Sequence, residues 1–176
     1  APGYFMLEPM LQSLGLEPVP IPRGPHGLDL DVLRAALREA PIAALMINPN
    51  HHNPTGFTLP MAQRFELARL ADERLRGFWI LEDDLYKGLW MDQEEPPSVH
   101  SLLPQRTLYV SSFSKTLGPA LRVGFIATPP ALRDAIRRRK FLHTLSGDAY
   151  TQNLVAEFVD RRGYQRHLQQ VRDQLA

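Results

Sequence analysis

The sequence predicts an α/β sandwich with a mostly parallel sheet, and three observations carry that expectation. Short, continuous apolar runs alternate with segments whose apolar residues recur at helical spacing. Turn-rich polar corners follow directly on the apolar runs, at Asn53, Asp83 and Lys115. No internal repeat or low-complexity tract interrupts the alternation. The 176 residues suffice for one domain with a sizeable core.

Taken in order, "FMLEPMLQSLG" has helical spacing, and "LEPVPIP" reads as a short strand interrupted by prolines. "LDLDVLRAALREA" starts a helix with Asp29 or Asp31 as its cap, and Pro41 stops it. "IAALMIN" is an apolar run of the kind expected for a strand covered on both faces. The turn "PNHHNPTGFTLP" leads into the long helix "MAQRFELARLADERLR", which Gly77 ends. "FWILEDD" is a second buried strand, and "KGLWMDQEEPPSVHSLLPQR" reads as a loop rich in proline and acid. "TLYVSS", a lysine corner and the strand "RVGFIAT" follow, with helices from about Pro130 onward.

Composition narrows the function without choosing it. Hydrophobic residues make up 44% and charged residues 22%, and the formal net charge is +1. No global field therefore favours nucleic acid or an anionic membrane. No cysteine is present, which excludes disulfides and thiolate metal sites and makes a reducing, cytoplasmic setting the default. No apolar run reaches the ~18–20 residues a membrane span needs. The first residues already read as the turn into a helix, and "GYQRHLQQVRDQLA" runs to the end without a capping glycine. The expectation is a piece of a longer protein.

In parallel sheets ligands bind outside the carboxyl ends of the strands, which puts the polar corners on one edge. Asp83 and Asp84 end a strand and Tyr86 follows, so a carboxylate and a phenol can face one ligand. Asn53 offers an amide in a turn to which Gly56 lends backbone freedom. Ser112, Ser114 and Arg122 form a set suited to a phosphate. Lys115 lies between them, and a lysine in such a corner can condense with an aldehyde. Lysine, phosphate ligands and an acid for a ring nitrogen are the requirements of pyridoxal phosphate.

The stretches "NPTG" (Asn53 to Gly56), "EDDLY" (Glu82 to Tyr86) and "SFSKTLGPALRVG" (Ser112 to Gly124) resemble those of fold type I aminotransferases of classes I and II, in the family's order. Each alone is weak; three in register across the chain are a strong signal. The resemblance implies the large domain of that fold, a three-layer α/β/α arrangement, in part. It implies that Lys115 carries pyridoxal 5'-phosphate covalently and moves the substrate proton. Asp83 would pair with the ring nitrogen, and Asn53 and Tyr86 would bond the ring's phenolic oxygen. Ser112, Ser114 and Arg122 would hold the phosphate, and Tyr4 in "APGYF" would stack on the ring. The family is dimeric, so a homodimer is implied, with a small amino acid or amine as ligand.

Plainer readings bear on several of these residues. Asp84 reads as structural, and Tyr4 as core equally well. His51 and His52 are adjacent in a turn, which points them apart, and no acid lies at metal-ligand spacing. The basic stretch "RDAIRRRK" scatters its charge around a helix and reads as a solvated face. The family's first phosphate loop and the arginine for the substrate carboxylate are not in the sequence, so the 176 residues alone are expected to be inactive. Two roles remain open. The first is the cofactor- and effector-sensing domain of a GntR-type regulator of the MocR subfamily, reaching DNA through a separate domain. "VSSFSKTL" and "EFVDRRGYQRHLQQVR" resemble that class in texture. The second is a free aminotransferase acting on an amino acid and a 2-oxo acid.

Overall fold

The computed structural model describes residues 3–74, 77–90 and 95–175. Helix α1 (Leu7–Ser13) leads into residues 16–22, which form no strand. Pro18, Pro20 and Pro22 remove every second amide there, and a ladder needs those donors. Pairing begins one residue later, between β1 (Arg23–Gly24) and β2 (Gly27–Leu28). Helix α2 (Leu30–Glu39) then starts at Asp29, whose carboxylate accepts from the amides of Asp31 at 3.1 Å and Val32 at 3.0 Å. Asp29→Ala should therefore cost about 1 kcal/mol of stability, measurable by denaturant titration.

Four strands form the main sheet: β3 (Ala44–Ile47), β4 (Trp79–Asp83), β5 (Thr107–Ser112) and β6 (Gly124–Ala127), in that spatial order. β3, β4 and β5 run parallel, and β6 returns antiparallel to β5. Helix α3 (Met61–Glu73) crosses between β3 and β4, and the short helix α4 (Val99–Leu102) lies in the segment expected to be all loop. The Ser98 hydroxyl accepts from the Ser101 amide at 3.0 Å. Glu82, fully buried in β4, accepts from the amides of Val99 at 2.9 Å and His100 at 2.7 Å. A strand carboxylate thus fills the open donors of a helix start, which explains why so short a helix forms.

The core packs Leu33 and Leu37 of α2 and Leu67 and Ala71 of α3 against Leu45, Ile47 and Ile80 of the sheet. β3 departs from the expectation for its apolar run: Leu45 and Ile47 are buried, while Ala44 and Met46 are exposed. The described helices cover one face of that strand. The chain then runs through a 3₁₀ turn at Pro130–Leu132 into α5 (Arg133–Thr144), α6 (Ala149–Asp160) and α7 (Gly163–Leu175). No described helix is long and apolar enough to cross a membrane.

Candidate functional site

Because β3, β4 and β5 are parallel, their carboxyl ends meet at one edge, and Asp83 is paired in register with Val110 there. Successive residues of a strand face opposite ways, and Asp83 and Asp84 divide accordingly. Asp84 is fully buried; its carboxylate accepts from Asn50 Nδ2 and from the Tyr109 hydroxyl, each at 2.9 Å. Asp83 has no such satisfaction. Its Oδ1 is buried with no hydrogen-bond partner among the described residues. Burial, and then the neighbouring charge of Asp84, push the Asp83 carboxyl up to about 6, against the pull of the Leu85 amide. An unpartnered buried acceptor at a strand end is costly and calls for a donor.

The corner after β3 is held by Asn48, which the sequence reading did not single out. Its Nδ2 donates to the Asp83 carbonyl at 2.7 Å and to the Asn50 carbonyl at 3.2 Å. Its Oδ1 accepts from the Asn53 amide at 3.0 Å, so one side chain ties the "NPTG" turn to the end of β4. The Asn53 side chain is exposed and the Asn53–Pro54 peptide is cis. Gly56 takes φ +67°, the left-handed conformation its lack of a side chain permits. His52 is buried, with Nδ1 at 2.9 Å from the Thr55 hydroxyl. Burial, with a smaller contribution from Arg23, holds its pKa down to about 4, so it is neutral at pH 7. Its ring nitrogen serves the turn.

After β5 the chain turns through the lysine corner. The Ser112 hydroxyl donates to the Val123 carbonyl at 3.1 Å, accepts from the Ser114 amide at 3.1 Å and lies 3.0 Å from the Ser114 hydroxyl. The two hydroxyls are thus prearranged side by side. Lys115 is exposed, with Nζ 5.8 Å from the centre of the Tyr86 ring. The lysine corner and the "EDDLY" turn therefore face each other. Arg122 is exposed and left-handed at φ +52°, closing the 3₁₀ turn Pro119–Leu121 rather than heading β6 as the sequence suggested. Tyr4 is 49% exposed, with its ring edge-on to Phe5 at 5.1 Å. It hydrogen-bonds none of the strand-end groups among the described residues.

Behind the edge stands a second residue that the sequence reading missed. Arg64 of α3 is fully buried. Its guanidinium donates to the carbonyls of Leu59 (3.0 Å), Pro97 (2.9 Å) and Pro49 (3.2 Å) and to Asn50 Oδ1 (2.6 Å). Asn50 passes the connection on to Asp84. Burial lowers the guanidinium's pKa, opposed by the negative Glu82 and Asp84 nearby. In sequence Arg64 looks like any helix arginine, and only the irregular turn it organises reveals it.

Comparison with known proteins agrees with this geometry. The family model described as aminotransferase class I and II matches residues 1–176. An uncharacterized HTH-type transcriptional regulator of Escherichia coli K12, YjiR, is 33% identical over 98% of this chain and 36% of its own length. The "probable rhizopine catabolism regulatory protein" MocR of Rhizobium meliloti is 30% identical, over 97% of this chain and 34% of its own. Among solved structures, the α-aminoadipate aminotransferase LysN of Thermus thermophilus, complexed with N-(5'-phosphopyridoxyl)-L-leucine, superposes with a TM-score of 0.91. It is 30% identical and covers 98% of this chain and 45% of its own. The chain thus spans about a third of the regulators' length and under half of the transaminase. With the strand order, the corner motifs and a family model matched from end to end, the chain belongs to the class I and II aminotransferase family, in the fold type I architecture.

Proposed function

We propose that this chain is the pyridoxal-phosphate-binding, effector-sensing domain of a GntR-type transcriptional regulator of the MocR subfamily. The observation that carries the cofactor reading is the buried Oδ1 of Asp83 at the carboxyl edge of the sheet, which has no hydrogen-bond partner among the described residues. A protonated ring nitrogen is the kind of donor that acceptor lacks. The regulator assignment is supported by relatives described as transcriptional regulators that match nearly the whole chain. The second reading, a free aminotransferase acting on an amino acid and a 2-oxo acid, is favoured by the likeness to LysN.

The residues present fit the cofactor's chemistry. Pyridoxal phosphate, when bound, supplies an aldehyde that links to amines and a ring that withdraws electrons from the carbon next to that link. Lys115 would be the amine for that link, and its free amine would hold or move the proton of the ligand's α-carbon. Asp83 accepts from the ring N–H and keeps the ring cationic. Tyr86 and Asn53 donate to the phenolic oxygen, and Tyr4 stacks on the ring. Ser112, Ser114 and Arg122 would bind the phosphate, the Ser112 hydroxyl turning from the Val123 carbonyl to donate, the Ser114 hydroxyl donating beside it and the guanidinium acting as a fork. Asp83 must be charged to offset a cationic ring nitrogen, and burial with the charge of Asp84 raises its carboxyl to about 6. Affinity for the cofactor should therefore fall as pH drops through about 6. The protein acts as a homodimer in the cytoplasm, with a small amino acid or amine as its ligand.

The test is reductive trapping. Full-length protein incubated with pyridoxal phosphate should turn yellow, and borohydride should fix the adduct on Lys115, read by peptide mass spectrometry. An adduct on Lys87 or Lys140 instead would sink the site assignment. Regulator and enzyme are then separated by a coupled transamination assay and a DNA titration of the same preparation. Specific, salt-dependent DNA binding with negligible turnover supports the regulator; robust turnover without DNA binding supports the enzyme.

A further inference from the structure

Helix α7 contributes none of the residues assigned above, yet it grips the main chain beside two of them. His167 Nε2–H donates to the carbonyl of Thr116 at 2.7 Å, and the Tyr164 hydroxyl donates to the Thr116 hydroxyl at 3.1 Å. Thr116 follows Lys115 directly and is buried. Further along the same helix, Arg172 Nε donates to the carbonyl of Gly88 at 2.7 Å. Gly88 lies two residues beyond Tyr86. Positions 164, 167, 168 and 172 recur at helical spacing, so one face of α7 reaches both loops.

The fit against Gly88 is close. Gly88 has φ +87°, and a β-carbon there would stand 3.0 Å from Leu168 Cδ1. A side chain there would be strained by the backbone and would crowd the Leu168 side chain. Leu168 is buried, and the Tyr164 ring meets Phe113 of the lysine corner edge-on at 5.5 Å. Each loop is thus held through a carbonyl and through packing, and the two loops meet where Lys115 Nζ stands over the Tyr86 ring.

We infer that α7 is the element that sets the lysine corner and the tyrosine turn against each other, with His167 and Arg172 as positioning residues for Lys115 and Tyr86. The inference rests on the cofactor reading above and assigns neither residue a contact with the cofactor. A helix donor that holds the Thr116 carbonyl restrains the backbone of the residue that follows Lys115, and so the direction in which the amine is presented. The bond from Arg172 does the same for the turn that carries the Tyr86 hydroxyl. Such positioning has to be held to about half an ångström to be productive.

Two ligands separate the two loops. Pyridoxal phosphate can link to Lys115, whereas pyridoxamine phosphate has the same ring and phosphate but no aldehyde. In the full-length protein, His167→Phe should weaken pyridoxal phosphate about tenfold relative to pyridoxamine phosphate, the loss expected from one well-aligned hydrogen bond. His167→Gln, whose amide can still donate to the Thr116 carbonyl, should restore most of it. Arg172→Met should weaken both ligands alike, since the Tyr86 contact is common to both. Tyr164→Phe keeps the ring on Phe113 and removes one hydroxyl, so it repeats the His167 test with the packing intact and should act in the same direction, severalfold. Equal loss of both ligands in the His167 and Tyr164 variants, tracking a fall in Tm, would make α7 merely structural and overturn the inference. So would unchanged binding in all of them. If the wild-type protein forms no borohydride-fixed adduct on Lys115, the cofactor reading itself has failed, and the inference falls with it.

Discussion

Arg64→Ala is expected to destabilise the fold by about 3–5 kcal/mol, a large share of the roughly 5–15 kcal/mol that holds an ordinary domain together. The side chain is fully buried, and its guanidinium satisfies three carbonyls and Asn50 Oδ1. Truncation leaves those acceptors in a dry interior, with Glu82 and Asp84 buried beside them and short of a compensating cation. Arg64→Lys should recover only part of the loss, because one ammonium carries three donors and cannot span four acceptors on three segments. Denaturant titration at pH 7 measures both. The exposed Arg69, paired with Glu66 and Glu73 on the surface of the same helix, is the control and should matter little when changed to alanine. Equal effects at positions 64 and 69 would refute the account of the buried network.

Asp83→Asn should move stability and cofactor binding in opposite directions. Burial and Asp84 raise the Asp83 carboxyl to about 6, above its ordinary 3.8, so the folded state holds this proton more tightly than the unfolded state. Linkage then makes the wild-type fold lose stability as pH rises from about 4 through 6. The amide carries no charge to bury, so the variant should melt higher than wild type at pH 7, with the gain vanishing below about pH 4. The same amide is a poor partner for a cationic ring nitrogen. A charge-assisted hydrogen bond of about 1.5–3 kcal/mol is lost, and pyridoxal phosphate should bind roughly ten- to a hundredfold more weakly. A melting scan across pH and a cofactor titration at pH 7.5 read the two effects. Asp84→Asn should disturb the cofactor spectrum less and the fold more, since Asn50 and Tyr109 already satisfy Asp84. The reverse ranking would show that the register of "EDDLY" is misread.

Much of this is legible in the sequence. The strands at 44–47, 79–83, 107–112 and 124–127 lie where apolar runs predict them, and of the two cap candidates, Asp29 and Asp31, the structure selects Asp29. The structural reading of Asp84 also holds, since its carboxylate is buried and bonded to Asn50 and Tyr109. Local errors come where tertiary contacts override composition. The helix at Val99–Leu102 sits in a proline-rich stretch and is held by Glu82, seventeen residues before its first turn. Arg122 looks like the head of a strand and instead takes the left-handed position that ends a 3₁₀ turn.

The sequence by itself determined the alternation of elements, the family motifs and the identity of the chemically able residues. Those depend on periodicity and on residue type at short range, both written along the chain. Only the tertiary structure decided which polar groups are satisfied and which are left open. Asn48, Arg64 and the α7 residues His167 and Arg172 make their contacts across gaps of 35, 33, 51 and 84 positions. Nothing local marks such residues, because a buried donor is specified by whichever distant carbonyl the fold brings to it. Asp83 Oδ1 is the complementary case: a strand-end aspartate in sequence, and, among the described residues, a buried acceptor without a donor once the sheet has formed around it.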